Sequence, residues 1–230
     1  YEQIAAPVLC NEIAAGKLPR VVGKYRSIEQ TMMFLKKPAM WFAMFSEFND
    51  PFEGKFCLAD DARMPKKQIQ RLRDGITRHL DSYGVLCLTY NLNNILMWAH
   101  YADKHHGAIL VFDMTEDPVF FSAPFEVTYT FNYPAYSLAE HKQTLRCMAT
   151  KFMRWHHENE IRVLKPNCHG LRTVKKKALK KIVFGCKASD ENVARVIEEM
   201  KVQGGYEHVV LQKAVMSKHA YELEYVDVER

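Results

Sequence analysis

Asn94-Ile95-Leu96-Met97-Trp98-Ala99-His100-Tyr101-Ala102-Asp103-Lys104-His105-His106-Gly107 is followed at once by Ala108-Ile109-Leu110-Val111-Phe112 and Asp113. On a helix, Asn94, Trp98, Tyr101 and His105 share one stripe, and Met97, His100 and Lys104 lie on the adjoining one. The expectation is a helix that runs to Gly107, where glycine enters the left-handed conformation that closes such an end. The next five residues read as a buried strand. A helix built only for packing would carry Leu, Ile and Val inside, whereas this one offers an indole, a phenol, imidazoles and an amide. Such groups suit the wall of a concave polar site. The competing reading is that Trp98 and Tyr101 are core residues, each needing one partner for its polar atom.

Upstream of this unit, residues 1–20 read as a helix and a loop broken at Gly16 and Pro19. Val21 to Ser27 is β-prone and reads as the first strand of the main sheet, with Lys24 and Arg26 flanking Tyr25. A short helix follows over 29–35 and ends before Pro38. Met40 to Phe45 has strand length. Ser46 to Gly54 contains Asn49-Asp50-Pro51, strong turn chemistry, set between Phe48 and Phe52. Residues 66–83 form an amphipathic helix with a basic outer face, and Val85 to Thr89 a strand.

Downstream, Glu126 to Phe131 alternates like a strand. Residues 138–157 are expected as a helix that feeds the polar knot Trp155 to Arg162 and a strand beyond it. A basic stretch, Arg172 to Lys181, precedes Ile182-Val183-Phe184, and a helix over 191–202 and two more strands complete the chain. No internal repeat, low-complexity tract or linker interrupts it. The economical reading is residues 1–20 as a helix and loop and residues 21–230 as one α+β domain, its mixed or antiparallel central sheet flanked by helices.

At 230 residues, 48% hydrophobic and 26% charged, the chain can bury a sizeable core. No apolar run is long enough to span a bilayer, and the first residues lack the basic-then-apolar pattern of a signal peptide. The chain begins at Tyr1 rather than Met, as expected if residues precede it. Six singly spaced cysteines without a C-x-x-C pair argue against a zinc cluster and for reduced thiols, so the expected location is cytoplasmic. A net charge of +5 permits attraction to nucleic acid or a polyphosphate ligand without demanding it.

Lys24-Tyr25-Arg26, Asn49-Asp50-Pro51-Phe52-Glu53, Met97-Trp98-Ala99-His100-Tyr101-Ala102-Asp103 and the Trp155 to Arg162 knot occur in order. In that combination the chain resembles a family of bacterial domains of unknown function with K-Y-R, N-D-P-F-E and M-W-x-H-Y-A-D signatures. The layout is also similar, at the level of fold, to the ADP-ribosyltransferase superfamily. That resemblance implies a cationic first-strand residue, Lys24 or Arg26, and a glutamate opening a later strand, Glu160 within Glu158-Asn159-Glu160.

It further implies NAD as the substrate, cleaved through an oxocarbenium-like state that a carboxylate stabilises. Glu160, His100 and Tyr101 are then the expected catalytic residues. Lys24, Tyr25, Arg26, Asn49, Asp50 and Trp98 are the expected NAD contacts, with no metal. Protein, nucleic acid or a small molecule would accept the ADP-ribose, as in a toxin or phage-defence effector. Two other classes stay open. One is a nucleic-acid-binding or nucleic-acid-processing protein that uses the lysine run and the basic helix, with Asp50, Glu53, Asp103 and Glu160 around magnesium. The other is a non-catalytic module that senses a nucleotide-like ligand. The bland reading pairs Glu158 and Glu160 with Arg162, Arg154 or a lysine at the surface.

Overall fold

Helix α1 (Glu2–Ala14) leads into β1 (Val21–Arg26), and α2 (Ile28–Lys36) follows directly because Ser27 and Gln30 form a reciprocal capping box. The structure, a computed structural model, describes residues 2–59, 64–137 and 143–230. In chain order there follow β2 (Ala39–Phe42), β3 (Cys57–Leu58), α3 (Lys66–Asp81), β4 (Tyr83–Thr89), α4 (Ile95–Tyr101) and β5 (Ala108–Asp113). Next come β6 (Pro124–Glu126), β7 (Thr128–Thr130), β8 (Ala135–Tyr136), α5 (Gln143–Met148), β9 (Thr150–Phe152) and β10 (Glu160–Pro166). The last elements are β11 (Gly170–Thr173), β12 (Leu179–Phe184), α6 (Asp190–Gln203), β13 (Val210–Met216) and β14 (Leu223–Asp227).

Eight strands form one mixed sheet in the order β14-β13-β12-β5-β1-β4-β10-β6. Only β12 and β13 are parallel, joined by the crossover helix α6, and the other neighbours are antiparallel. The fold is thus α+β with a mixed central sheet. Alternation along the strands sorts the core. Val22, Leu110, Phe112, Ile161 and Val163 face α2 and α6, whereas Tyr25, Ile109 and Val111 face α4 with Trp98. Further along that second face, Val85 and Leu164 pack with Ile76 and Leu80 of α3. Glu160 and Arg162 alternate with Ile161 and Val163, so they project into the second face.

Several expected elements are cut differently. The helix expected over 138–157 is α5, β9 and a 3-10 segment at Met153–Glu158, while 138–142 lie outside the described residues. Its strand pairs with β7 in a small parallel sheet, so the expected strand over 126–131 is split between β6 and β7. The aromatic run after Pro38 contributes β2, which pairs with β11 away from the main sheet.

Helix α4 ends at Tyr101, not at Gly107, and Asp103, Lys104 and His105 themselves take positive φ (46°, 52° and 73°). Gly107 is needed for another reason: a Cβ there would lie 2.1 Å from the Arg26 carbonyl oxygen. Close approach to β1, rather than a helix cap, fixes that glycine.

Candidate functional site

Strands β1 and β4 are paired at a single register position, Gly23 with Thr89, and then diverge. The main sheet is therefore split along its length. Backbone groups on the freed edge of β4 need other partners. Ala43 supplies one pair, exchanging hydrogen bonds with Val85 at 3.0 and 2.8 Å, and Lys24 Nζ supplies another, donating to the Cys87 carbonyl at 2.6 Å. Between these bridges the split opens into a cavity of about 460 Å³. Consecutive residues Gly23 to Arg26 line it, because the gap exposes the edge of β1 itself. Trp41, Glu47, Phe48 and Asn49 close a second side, His100 and Tyr101 a third, and Lys151, Glu158 and Glu160 the floor.

The floor is a buried ion network. Arg162, fully buried, donates to Glu160 through Nε at 2.7 Å and Nη2 at 3.0 Å, to Glu53 at 2.8 Å, and through Nη1 to the Met148 carbonyl at 2.7 Å. Lys151 lies on the cavity side, 3.2 Å from Glu53 and 3.1 Å from Glu160, and also bonds to Glu158. Glu158 accepts a 2.6 Å hydrogen bond from the Tyr101 hydroxyl.

Burial alone would raise the Glu160 pKa, but the Arg162 and Lys151 charges overcome it and hold the carboxyl well below the usual carboxylate range. Burial would likewise weaken Lys151 as a cation, and Glu160, Glu53 and Glu158 reverse that, keeping it charged. Burial and the neighbouring Glu158 charge push the Tyr101 hydroxyl up, so it is a donor. Three carboxylates against two cations leave this end of the cavity with one net negative charge.

The other end is positive. Burial, reinforced by Arg26, lowers the Lys24 pKa to about 8. The Arg26 guanidinium is half-buried, its pKa lowered by desolvation, and its side chain has no hydrogen-bond or ion-pair partner among the described residues. A desolvated, unpaired guanidinium inside a cavity is an anion receptor in waiting, since five fixed N–H donors go unused.

Of the residues expected to form a site, Lys24, Tyr25, Arg26, Asn49, His100, Tyr101 and Glu160 line this one cavity. Two do not. Trp98 is fully buried beneath Tyr25 (5.2 Å, edge-on) and His105, so it cannot stack on a ligand. Asp50 caps its own turn by accepting from Phe52 N at 2.9 Å and lies outside the cavity lining.

Glu158 and Glu160 are ion-paired with Lys151 and Arg162 in the interior, not at the surface. Lys151 was not legible as a site residue, because its stretch reads as helix and its partners lie on other elements. Glu53 carried a signal, a carboxylate beside Phe52 in the aromatic turn that also holds Glu47 and Asp50.

The basic run is largely spoken for. Lys177 and Lys180 pair with Glu116, Lys175 lies 3.8 Å from Asp117, and Lys176 caps α6 through the Gln203 and Gly204 carbonyls. Among the described residues, no group of three or more His, Cys, Asp or Glu is placed to hold a metal ion, so Asp50, Glu53, Asp103 and Glu160 do not gather into one such group. No helix among them is long and apolar enough to cross a membrane. Compared with protein-family models, curated proteins and solved structures, the chain matches none.

Proposed function

We propose that the cleft binds a nucleotide-like small molecule, NAD in the first instance, and that the protein is an ADP-ribosyltransferase-like enzyme or NAD glycohydrolase acting in the cytoplasm as a toxin or phage-defence effector. The observation that carries this reading is the polarity of one cavity: unpaired Arg26 beside Lys24 at one end, and a carboxylate network with a net negative charge at the other. NAD has the complementary polarity, an anionic pyrophosphate and a cationic nicotinamide-ribose. Arg26 would take the pyrophosphate bidentately, with Lys24 adding charge. The nicotinamide ribose would then sit over Glu158 and Glu160.

As the glycosidic bond lengthens, positive charge grows on the ribose, and fixed negative charge in a desolvated site stabilises it. Glu160 is held ionised by Arg162, so it needs no proton loss to serve. Tyr101 orients Glu158, and the exposed His100 at the rim is placed to take a proton from an acceptor. The acceptor would be protein, nucleic acid or a small molecule.

The test is a thermal-shift titration with NAD, ADP-ribose and a nucleotide control, with nicotinamide release followed in the same samples. A ligand at about a hundred times its dissociation constant adds roughly 2.7 kcal/mol. The expected result is stabilisation by NAD with nicotinamide release, and loss of release in a folded Glu160→Gln variant. Unchanged turnover in that variant removes Glu160 from the chemistry, and no response to either dinucleotide-derived ligand overturns the reading. One feature favours a second reading, a non-catalytic sensor: every cavity-floor carboxylate already has a cationic partner. A sensor would bind without release, and Glu160→Gln would change affinity alone.

A further inference from the structure

We propose that Lys24 is a reactive amine that captures the aldehyde of an anionic, phosphate-bearing ligand seated on Arg26, as a reversible Schiff base. Three features of the cleft support this. Among the described residues Lys24 Nζ is anchored by one hydrogen bond, to the Cys87 carbonyl, which in the neutral amine leaves the second N–H and the lone pair uncommitted. It faces an open cavity of about 460 Å³ rather than packed side chains. Two residues along the same strand, the Arg26 guanidinium has no partner among the described residues and faces the same cavity, so phosphate and aldehyde ends of one small molecule can be engaged together.

The charged groups around Lys24 set its reactivity. Burial and Arg26 favour the neutral amine, while the Cys87 thiol, Glu160 and Glu158 oppose them more weakly, and the balance brings the amine to a pKa of about 8. Near neutrality a lysine of that kind is unprotonated a few hundred times more often than one at the ordinary value of about 10.4. Only the neutral form has the lone pair that attacks a carbonyl. In the step itself the Nζ lone pair forms a C–N bond, the two protons of the neutral amine pass to the carbonyl oxygen as the C–O bond breaks, water leaves, and a C=N bond remains. No oxidant or reductant is consumed. Phosphorylated aldehydes and reducing sugar phosphates form the ligand class, and ADP-ribose in its open-chain form belongs to it. The inference rests on the cleft alone and stands whether or not NAD is cleaved.

Pyridoxal 5′-phosphate is the probe. The folded full chain is incubated with it between pH 6.5 and 9, reduced with borohydride, and the modified lysines are mapped by peptide mass spectrometry. Lys24 is expected to label about tenfold or more faster than the exposed Lys66 and Lys67 of α3, with a rate that rises towards pH 8 and then levels. Arg26→Gln should cut the Lys24 rate about tenfold more with pyridoxal 5′-phosphate than with pyridoxal, which lacks the phosphate and registers only the loss of the Arg26 charge that favours the neutral amine. Labelling of Lys66 and Lys67 with Lys24 untouched in the wild-type chain overturns the proposal without recourse to any variant. Equal rates for the two probes in wild type and Arg26→Gln overturn the role of Arg26. Nicotinamide release is not read here, so a failure of NAD cleavage leaves this result standing.

Discussion

Arg162→Met removes the cation on which the floor of the cleft is built. Arg162 is fully buried and makes four donor contacts, three to carboxylates and one to the Met148 carbonyl. Methionine fills much of the stem volume but returns none of those bonds. Breaking a buried ion pair by removing one partner costs about 3–5 kcal/mol, and orphaning a buried carbonyl about 1–3 more. The terms overlap, because Lys151 remains to neutralise part of the charge, so the expected loss at pH 7 is about 4 kcal/mol. For a chain of this length that lowers the melting temperature by about 8–16 °C.

The pH dependence distinguishes this cause from simple loss of packing. In the wild type the Glu160 pKa is depressed, so its stabilisation is present above the unfolded-state value and is lost only as pH falls through the lower folded value. In Arg162→Met the same carboxylate is buried with weaker compensation, and protonation relieves the fold. The gap between wild type and variant should therefore narrow from pH 7 towards pH 4.5. Urea melts at several pH values measure it. A loss below about 1 kcal/mol, or a gap that does not change with pH, would refute the network as the source of stability.

Three further outcomes follow from other parts of the fold. Lys24 has linkage of the same sign in a higher window: the unfolded chain holds its proton between about pH 8 and 10.4 where the fold does not, so stability should rise with pH across that window by up to about 3 kcal/mol. Lys24→Met should flatten that rise, as read from urea midpoints at pH 8 and 10. Asn94→Ala removes the cap on Leu96 N and Met97 N and the bond from Asn94 to the His157 carbonyl, and should cost about 1–2 kcal/mol in thermal melts. Gly84→Ala places a Cβ 1.4 Å from the backbone oxygen of Cys168, and neither group can yield. A loss of about 3 kcal/mol or more, or failure to accumulate folded protein on expression, is expected.

Local patterns carried much of the architecture into the sequence. The β-prone run from Val21 and the apolar stripe of α3 each depend on residues a few positions apart, and each element lies where they indicate. The helix expected over 138–157 is interrupted for the complementary reason. Thr150 to Phe152 is held extended by parallel pairing with β7, twenty-two residues upstream, which no local period reveals.

The site divides in the same way. Lys24, Arg26, Tyr101 and Glu160 stood out as polar groups beside apolar runs, and they converge on one cavity. Trp98 belonged to the same helical stripe, but a seven-residue helix gives each position its own depth, and this one points inward. Lys151 became visible only when Glu53 from far upstream and Glu158 and Glu160, at the end of the 3-10 segment and just beyond it, closed around it. The split between β1 and β4 that makes the cavity is a property of register, set by a single Gly23–Thr89 pairing.

The central claim is that this split is an anion-recognising nucleotide site, and calorimetric titration of ADP-ribose into wild type and Arg26→Gln tests it most directly. Among the described residues Arg26 makes no side-chain bond, so the variant should melt with the wild type. Saturable binding by the wild type, weakened about tenfold or more in Arg26→Gln, is the predicted result, and that factor corresponds to about 1.4 kcal/mol. Equal affinities in the two proteins, or no saturable binding by the wild type, would contradict the account.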